Sequence, residues 1–186
     1  MLKNFKLINT AFKDLIVFNH HNFNDKRGSF SKLYSEDFLF KKKKIKIKQI
    51  NFSLNKKRGT IRGMHYQIGK FAEEKIVTCI SGKIFDVVID LRKNSKTYLK
   101  WFKILLSPNL KKSLYVPKGF AHGFQTLENK TEIIYIHTNE HNKNYERTLN
   151  PFDTAFNINW PIKKYILSDK DKHQKFINKK FKGLNV

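Results

Sequence analysis

Apolar and polar residues alternate with a period of two along much of the chain, the pattern of β-strands with one buried face. Five runs rich in Val, Ile, Phe and Tyr carry this pattern most clearly, at residues 75–80, 83–91, 99–106, 113–116 and 131–138. Turn signals such as Ser81-Gly82 and Lys118-Gly119 separate the runs. At residues 44–48 lysine alternates with isoleucine, which predicts a half-solvated edge strand.

Many short strands at roughly even spacing predict an all-β fold, a β-sandwich or barrel with a jelly roll as the leading version. Only residues 169–182 have a helical pattern, and Ser168 followed by Asp171 is typical of a helix N-terminal box. Because no linker or internal repeat interrupts the pattern, we expect a single domain over residues 1–186.

The composition is that of a chain that can bury a core, since 40% of the 186 residues are apolar and 14% aromatic. The single cysteine, Cys79, excludes a disulfide within the chain. No run approaches the roughly 20 apolar residues of a membrane span, and Lys3 and Lys6 interrupt the N-terminal segment where a secretory signal would lie. We therefore expect a cytoplasmic protein without a membrane partner.

The charge is strongly basic, with 38 Lys and Arg against 15 Asp and Glu, a net +23. Only five of the basic residues are arginine, whereas grooves that bind nucleic acid usually depend on arginine for bidentate contacts. The lysine run at residues 41–44 and the lysine-rich tail at 163–182 are better explained as solvated faces. We expect no nucleic-acid partner, although the basic surface would attract an anionic substrate.

Arg62 and His65 lie in the segment Arg62-Gly63-Met64-His65-Tyr66-Gln67 at the edge of a β-run. Strict alternation would place these two side chains on opposite faces of the strand. A β-bulge at Gly63 would bring both to one cavity.

Other polar residues share faces of predicted strands. Asp86 and Asp90 lie on one face of their run, and Tyr135 and His137 share a face of theirs, as in a barrel wall with a polar pocket inside. His122 lies in the glycine-flanked segment 117–124. Each of these residues, taken singly, is also compatible with a satisfied polar group in a core.

The histidines do not have the spacing of a metal site. The position two residues after His65 is occupied by Gln67, a poor metal ligand. His137 and His141 have a helical spacing but lie in a β-run and a turn. There is also no P-loop and no nucleophile elbow, so we expect neither a metal nor another cofactor.

Four motifs together resemble those of the dTDP-4-dehydrorhamnose 3,5-epimerase family, metal-free cupins that act on nucleotide-linked 4-keto-6-deoxy sugars. They follow the family's order and approximate spacing between about Asn22 and Lys172, at residues 25–30, 62–67, 85–92 and 116–124. The resemblance implies a cupin jelly-roll barrel and an epimerase that inverts carbon 3, carbon 5 or both in making deoxysugars such as rhamnose for lipopolysaccharide or another surface polysaccharide.

The chemistry of such a reaction requires a base, an acid on the opposite face of the sugar and a donor near the ketone oxygen. By resemblance His65 is the base, and Asp171 orients it and stabilises its charged form. Tyr135 is then the acid, and Lys75 lies near the keto oxygen, where it steadies the enolate.

The resemblance also implies a substrate-binding set. Arg27 and Arg62 match arginines that bind the diphosphate, a role suited to planar multi-donor groups. Gln49 and Asn51 fall where the family contacts the nucleotide, and His122 with Asp86 resembles a second inner-wall pair. Members are typically homodimers, so a homodimer is expected here.

Two positions depart from the family. Lys32 stands where a glutamate often helps to hold the thymidine end, so CDP and GDP sugars stay open beside dTDP sugars. His141 stands where many members have a second aromatic residue, and altered pocket geometry there would restrict inversion to one carbon.

Three alternatives from other classes remain. A related sugar cupin would move the keto group between carbons 3 and 4, and a silent cupin would bind a nucleotide sugar without catalysis. The third is a basic nucleic-acid binder. The joint presence of His65, Lys75, Tyr135 and Asp171 argues against the silent binder, which has no need of all four.

Overall fold

Antiparallel strands dominate the structure, a computed structural model that describes residues 5–35, 45–178 and 180–186. Its strands in chain order are β1 (Phe5–Asn9), β2 (Ile16–His20), β3 (Asn22–Asp25), β4 (Gly28–Ser31), β5 (Gln49–Asn55), β6 (Ile61–Gln67), β7 (Lys75–Ser81), β8 (Ile84–Asp90), β9 (Trp101–Leu106), β10 (Lys112–Val116), β11 (Phe120–Thr126), β12 (Thr131–His137) and β13 (Glu146–Thr148). The helical elements in these ranges are two 3-10 turns and one short α-helix, at Gly69–Phe71, Pro108–Leu110 and Asp169–Lys172.

Two sheets face each other. The first has the strand order β1-β2-β10-β7-β12-β5, the second has the order β13-β6-β11-β8-β9, and β3 and β4 form a separate hairpin. Val77 of the first sheet and Val88 and Phe124 of the second belong to one buried cluster between them. The predicted all-β jelly roll is confirmed.

The second sheet is buried on both faces. Strand β8 turns Val88 towards the first sheet, whereas Phe85, Val87 and Ile89 belong to a second cluster on the outer side. That outer cluster includes Phe156 and Trp160 of the C-terminal segment. The C-terminal segment therefore covers the sheet, which explains why the outer face of β8 is apolar.

The five β-runs predicted most clearly are all strands, β7, β8, β9, β10 and β12. The pattern separated out neither β5 nor β11. The seven residues of β11 are all buried and show no alternation of burial. Strands β1 to β4 and β13 were not predicted, because three- to five-residue strands with mixed polarity give too few alternating positions.

The edge strand predicted at residues 44–48 is wrong as far as the structure describes it. Lys44 and the lysine run at 41–44 lie outside the described residues, and residues 45–48 are not a strand. Ile45 is buried, and Ile47 packs beside it, in a cluster with Phe18 and Tyr115. The segment thus packs its isoleucines on side chains of the first sheet, and strand pairing begins only at Gln49.

The helix predicted over residues 169–182 is confirmed only for its first turn, Asp169–Lys172. Ser168 Oγ accepts the hydrogen bond from Asp171 N at 3.1 Å, so the predicted N-terminal box is present. Beyond the turn, the carbonyl of Gln174 accepts a hydrogen bond from the Asn150 side chain, and Ile177 N donates to the Asp153 carboxylate. These loop contacts occupy backbone groups that a longer helix would have paired internally.

The lysines of the tail between residues 163 and 182 are exposed wherever the structure describes them, as expected of a solvated face. Within the described ranges, no helix is both long and apolar enough to cross a membrane.

The predicted bulge is present in β6. His65 pairs with His122, and Arg62 pairs with Phe124, so Gly63 and Met64 together face a single residue of β11. The extra residue shifts the alternation by one position, so that Met64 joins the outer cluster while Arg62 and His65 both line the cavity between the sheets.

Gly63 is required at this bulge for two reasons. Its φ of +138° is rarely adopted by residues with a side chain, and a Cβ there would lie 2.5 Å from Gly123 Cα. Gly28 has a similar φ of +132° but nothing within 4 Å of such a Cβ.

We expect Gly28→Ala to cost about 1–3 kcal/mol of unfolding free energy through backbone strain alone. Gly63→Ala should cost about 1–3 kcal/mol more, because the close approach to β11 adds overpacking. Urea titrations of the two variants measure this difference, and equal losses would contradict the close approach.

Candidate active site

A cavity of about 720 Å³ opens between the two sheets. Strands β5, β7 and β12 of the first sheet form one wall, and β6 and β11 of the second form the other. Its polar lining consists of Gln49, Asn51, Ser53, Arg62, His65, Tyr66, Gln67, Glu73, Lys75, His122, Tyr135, His137, His141 and Glu146. Eight of the ten residues proposed from the sequence as catalytic or substrate-binding are at this cavity, seven in its lining and Asp171 through its bond to His65.

His65 and Asp171 meet although they lie 106 residues apart in the sequence. His65 Nε2 lies 2.8 Å from Asp171 Oδ1, and the His65 side chain is 33% exposed whereas that of Asp171 is 4% exposed. Burial raises the pKa of Asp171, but the hydrogen bond and charge of His65 outweigh it and lower the pKa overall. The pair is thus a buried carboxylate behind an imidazole that reaches the cavity.

The bulge contributes to this pair. The backbone N–H of Gly63 also bonds to the Asp171 carboxylate and helps to lower its pKa, as does Ser168. The short helix begun by Ser168 is therefore anchored to β6 at the point where the strand pattern shifts.

Tyr135 lies on β12, on the wall that faces His65. Enclosure in the barrel raises the pKa of its phenol, and the negative charge of Asp86 raises it further. Tyr135 therefore keeps its proton at neutral pH. A proton donor and a candidate base thus come from opposite sheets.

Lys75 lies on β7 with its side chain 9% exposed. Its Nζ is 2.9 Å from Glu73 Oε1, and the other oxygen of Glu73 is 2.9 Å from His137 Nδ1. His137 shares its strand face with Tyr135, as the alternation predicted. The sequence analysis did not identify Glu73, although its two-residue spacing from Lys75 would place both on one face of an extended segment.

His122 and Asp86 form the second histidine–carboxylate pair of the interior. His122 Nε2 is 2.9 Å from Asp86 Oδ2, and the Asp86 side chain is fully buried. Burial raises the pKa of Asp86, and its Oδ1 has no hydrogen-bond partner among the described residues. Asp90, on the same strand, instead binds Arg92, Ser95 and Thr97 in the following loop.

Polar side chains of the binding set line the same cavity. Arg62 Nε donates to Asn55 Oδ1 at 2.7 Å, which orients the guanidinium along the wall. Gln49 Nε2 donates to Asn51 Oδ1 at 2.8 Å, and Gln49 Oε1 accepts from the backbone N–H of His141 at 2.8 Å. These groups offer donors for an anionic or hydroxyl-bearing ligand.

Arg27 and Lys32 are not brought into this cavity by the chain itself. Arg27 lies at the turn between β3 and β4 with its side chain 90% exposed, paired to Asp25 at 2.6 Å. Lys32 follows β4 and is exposed. The substrate-binding roles of Arg27 and Lys32 therefore stay predictions.

His141 and Glu146 border the cavity near its mouth. His141 Nε2 is 3.5 Å from Glu146 Oε2, and Lys170 Nζ is 2.6 Å from the same oxygen. Glu146 was missed from the sequence, since its three-residue strand carries no recognisable alternation. Among the residues with described positions, no cluster of three or more His, Cys, Asp and Glu side chains has the arrangement of a metal site.

Comparisons with known proteins agree on one family. The chain matches the family model described as dTDP-4-dehydrorhamnose 3,5-epimerase over residues 9–179. It is 38% identical over 175 residues to the dTDP-4-dehydrorhamnose 3,5-epimerase of Shigella flexneri, covering 92% of this chain and 96% of that protein.

Solved structures are similarly close. The crystal structure of dTDP-4-dehydrorhamnose 3,5-epimerase from Elizabethkingia anophelis has a TM-score of 0.88 at 35% identity, covering 96% of this chain and 99% of that one. The dTDP-6-deoxy-D-glucose-3,5-epimerase of Legionella pneumophila, solved in complex with dTDP-4-keto-L-rhamnose, has a TM-score of 0.86 at 31% identity and covers 92% of each chain.

We expect His65→Gln to raise the pKa of the Asp171 carboxyl, because the imidazole partner is lost while burial remains. A carboxyl with a depressed pKa stabilises the fold above its unfolded pKa, and that contribution disappears as the pH falls through the folded pKa. The variant should therefore be less stable at neutral pH and lose less stability on acidification, because less of that contribution remains to be lost. Carbon-13 NMR of the Asp171 carboxyl across pH measures the shift.

His122→Gln is the matched control, since it removes the imidazole of the other pair. An Asp171 midpoint that moved equally in both variants, or in neither, would contradict a direct His65–Asp171 coupling.

Proposed function

The chain belongs to the dTDP-4-dehydrorhamnose 3,5-epimerase family, and we propose that it is an epimerase that inverts carbon 3, carbon 5 or both of a nucleotide-linked 4-keto-6-deoxy sugar. The observation that carries this proposal is the position of His65 and Tyr135 on opposite walls of one cavity. Inversion needs removal of a proton from one face of a carbon and delivery to the other face, and these walls offer a group to each face.

His65 acts as the base in the first half of the reaction. The ketone at carbon 4 acidifies the hydrogens on carbons 3 and 5, and His65 takes one of them and becomes an imidazolium. The electron pair of the broken C–H bond moves into the carbonyl and leaves an enolate. Asp171, 2.8 Å from His65 Nε2, stabilises the positive charge.

Tyr135 acts as the acid in the second half. Its phenol delivers a proton to the opposite face of the same carbon, the ketone re-forms and the centre is inverted. Lys75 lies on the same wall, where an ammonium stabilises the enolate oxygen. One inversion leaves His65 protonated and Tyr135 ionised, so both groups must exchange protons with solvent before the next turnover.

Substrate recognition follows from the donors on the walls. We assign the diphosphate to Arg62, whose planar guanidinium suits phosphate oxygens, and the nucleotide to Gln49 and Asn51. The Legionella enzyme was solved with a dTDP sugar, which makes a dTDP sugar the first substrate to test. Selection of a CDP or GDP sugar instead would involve the two departures from the family, His141 at the mouth and Lys32 after β4.

A homodimer would bring Arg27 and Lys32 to the site. The hairpin of β3 and β4 carries Arg27 and the 67% exposed Phe30. The edge strand β5 exposes Ile50, Phe52 and Leu54 beside the cavity, an apolar strip typical of an interface. We propose that two copies associate through these surfaces and that each hairpin reaches the partner's cavity.

We expect His65→Ala to abolish exchange of the carbon 3 and carbon 5 hydrogens in D₂O, because no base remains. Tyr135→Phe should retain exchange at the carbon that His65 deprotonates but lower inverted product by on the order of 10²–10⁴. Proton NMR of dTDP-4-keto-6-deoxyglucose with each variant measures both effects.

Tyr165→Phe, at a 47% exposed tyrosine, is the matched control and should behave as wild type. Exchange in His65→Ala at the wild-type rate would overturn the assignment of the base. A product with its keto group at carbon 3 would indicate a 3,4-ketoisomerase, and binding without exchange for dTDP, CDP and GDP sugars would indicate a silent cupin.

The dimer predicts complementation between two inactive variants. If Arg27 acts in the partner's site, a mixed dimer of Arg27→Ala and His65→Ala chains contains one intact site. Random pairing of equal amounts should then restore about a quarter of wild-type sites. Activity after co-refolding measures this, and a mixture no more active than either variant alone would mean that Arg27 does not act in trans.

A further inference from the structure

Glu73 binds two groups of the Tyr135 wall at once. One carboxylate oxygen lies 2.9 Å from Lys75 Nζ, and the other lies 2.9 Å from His137 Nδ1. The side chains of Glu73, Lys75 and His137 are 8%, 9% and 11% exposed. A buried carboxylate whose two oxygens each contact a basic side chain is a structural charge cluster. It differs in this from a surface ion pair, which solvent and salt screen.

The strand pairing explains why these three residues meet. Lys75 and His137 are directly paired across β7 and β12, and Glu73 precedes Lys75 by two residues on the same face. His137 is also paired with Gln49 of β5, and its Nε2 lies 3.4 Å from Asn51 Nδ2. The contacts therefore run across three neighbouring strands, from the lysine to the residues assigned to the nucleotide.

Electrostatics favours the ionised form of Glu73. Burial alone raises its pKa, but the ammonium of Lys75 and the imidazole of His137 outweigh burial and lower the pKa to about 2. An ammonium as buried as that of Lys75 is costly without a counter-charge. Glu73 supplies that counter-charge.

We propose that Glu73 is a positioning residue of this site: its carboxylate keeps the Lys75 ammonium charged and fixed on the Tyr135 wall, and it holds His137 with Nδ1 towards itself and Nε2 towards Asn51. The inference rests on the proposed function for the role of Lys75, but the arrangement itself does not. In that role, Glu73 acts on the enolate only through Lys75.

Several titratable groups surround Lys75 and bear on its protonation. Those at the cavity are Arg62, His65, Tyr66, Glu73, His122, Tyr135, His137, His141 and Glu146, and Asp86 is coupled to Lys75 electrostatically. Strand β10, on its other side, places Val116 opposite Lys75. Among the described residues, Glu73 is the carboxylate within salt-bridge distance of the Lys75 ammonium.

The test is Glu73→Gln, which keeps the shape of the side chain and removes its charge. An opposite charge within this distance shifts a pKa by about 1–3 units, so the alkaline limb of the pH profile of kcat should move down by about 1–3 pH units. KM should change less than kcat, since Glu73 reaches the residues assigned to the nucleotide only through His137. The rate of proton exchange in dTDP-4-keto-6-deoxyglucose, followed over a pH series, gives the pH at which activity falls on the alkaline side.

Glu74→Gln is the matched control, because Glu74 is the neighbouring buried carboxyl and interacts with Tyr115 instead. It should leave the alkaline limb in place. Glu73→Asp retains the charge with a shorter reach, and we expect it to lower kcat while the limb stays near the wild-type pH. An unmoved limb in Glu73→Gln would overturn the proposal.

Two measurements without substrate separate this inference from the proposed function. Carbon-13 NMR of the Lys75 side chain, identified by the signal lost in Lys75→Met, should show its pKa fall in Glu73→Gln. Nitrogen-15 NMR should show His137 protonated at Nδ1 in the wild type and a changed tautomer balance in the variant. If wild type exchanged no protons in any nucleotide sugar, the proposed function would fail while these spectra still decided the role of Glu73.

Discussion

The central strands of the second sheet are covered on both faces, and the arrangement of the site depends on this constraint. Its outer side chains must be apolar to pack under Trp160 and its neighbours, while its inner face must supply polar side chains to the cavity beside the apolar ones that pack on the first sheet. Simple alternation cannot place both Arg62 and His65 inside. The bulge at Gly63 solves this by inserting one residue, and the glycine N–H bonds to Asp171. One irregularity thus sets the strand pattern and the orientation of the histidine.

The cavity keeps its charges paired on both walls. On the second sheet, His65 and His122 each contact a buried carboxylate, and on the first sheet Glu73 contacts both Lys75 and His137. Buried charges are tolerated when they are paired and hydrogen-bonded. The walls also differ chemically: the second sheet presents the imidazoles of His65 and His122, and the first sheet presents a phenol and an ammonium beside the imidazole of His137. That asymmetry is what a reaction with a base on one face and an acid on the other requires.

The C-terminal segment has two roles. It covers the outer face of the second sheet with Phe156 and Trp160, and it returns Asp171 to the cavity from 106 residues beyond His65. Loss of packing in this segment would therefore affect the orientation of His65 as well as stability. The hairpin of β3 and β4 is the opposite case, since its exposed Phe30 and Arg27 belong to no core cluster of the described chain.

The sequence by itself determined the all-β class, five of the strands and the helix N-terminal box, because alternation and turn residues are local properties. It named the four catalytic candidates through the resemblance of its motifs to those of a family. The structure brought His65 to Asp171 and put Tyr135 on the opposite wall, which depends on how two sheets stack. It also ended the predicted helix after one turn, since contacts to Asn150 and Asp153 replaced helical hydrogen bonds. Glu73 emerged only from the fold, because the pairing of Lys75 with His137 across two strands is a tertiary contact that no local pattern encodes.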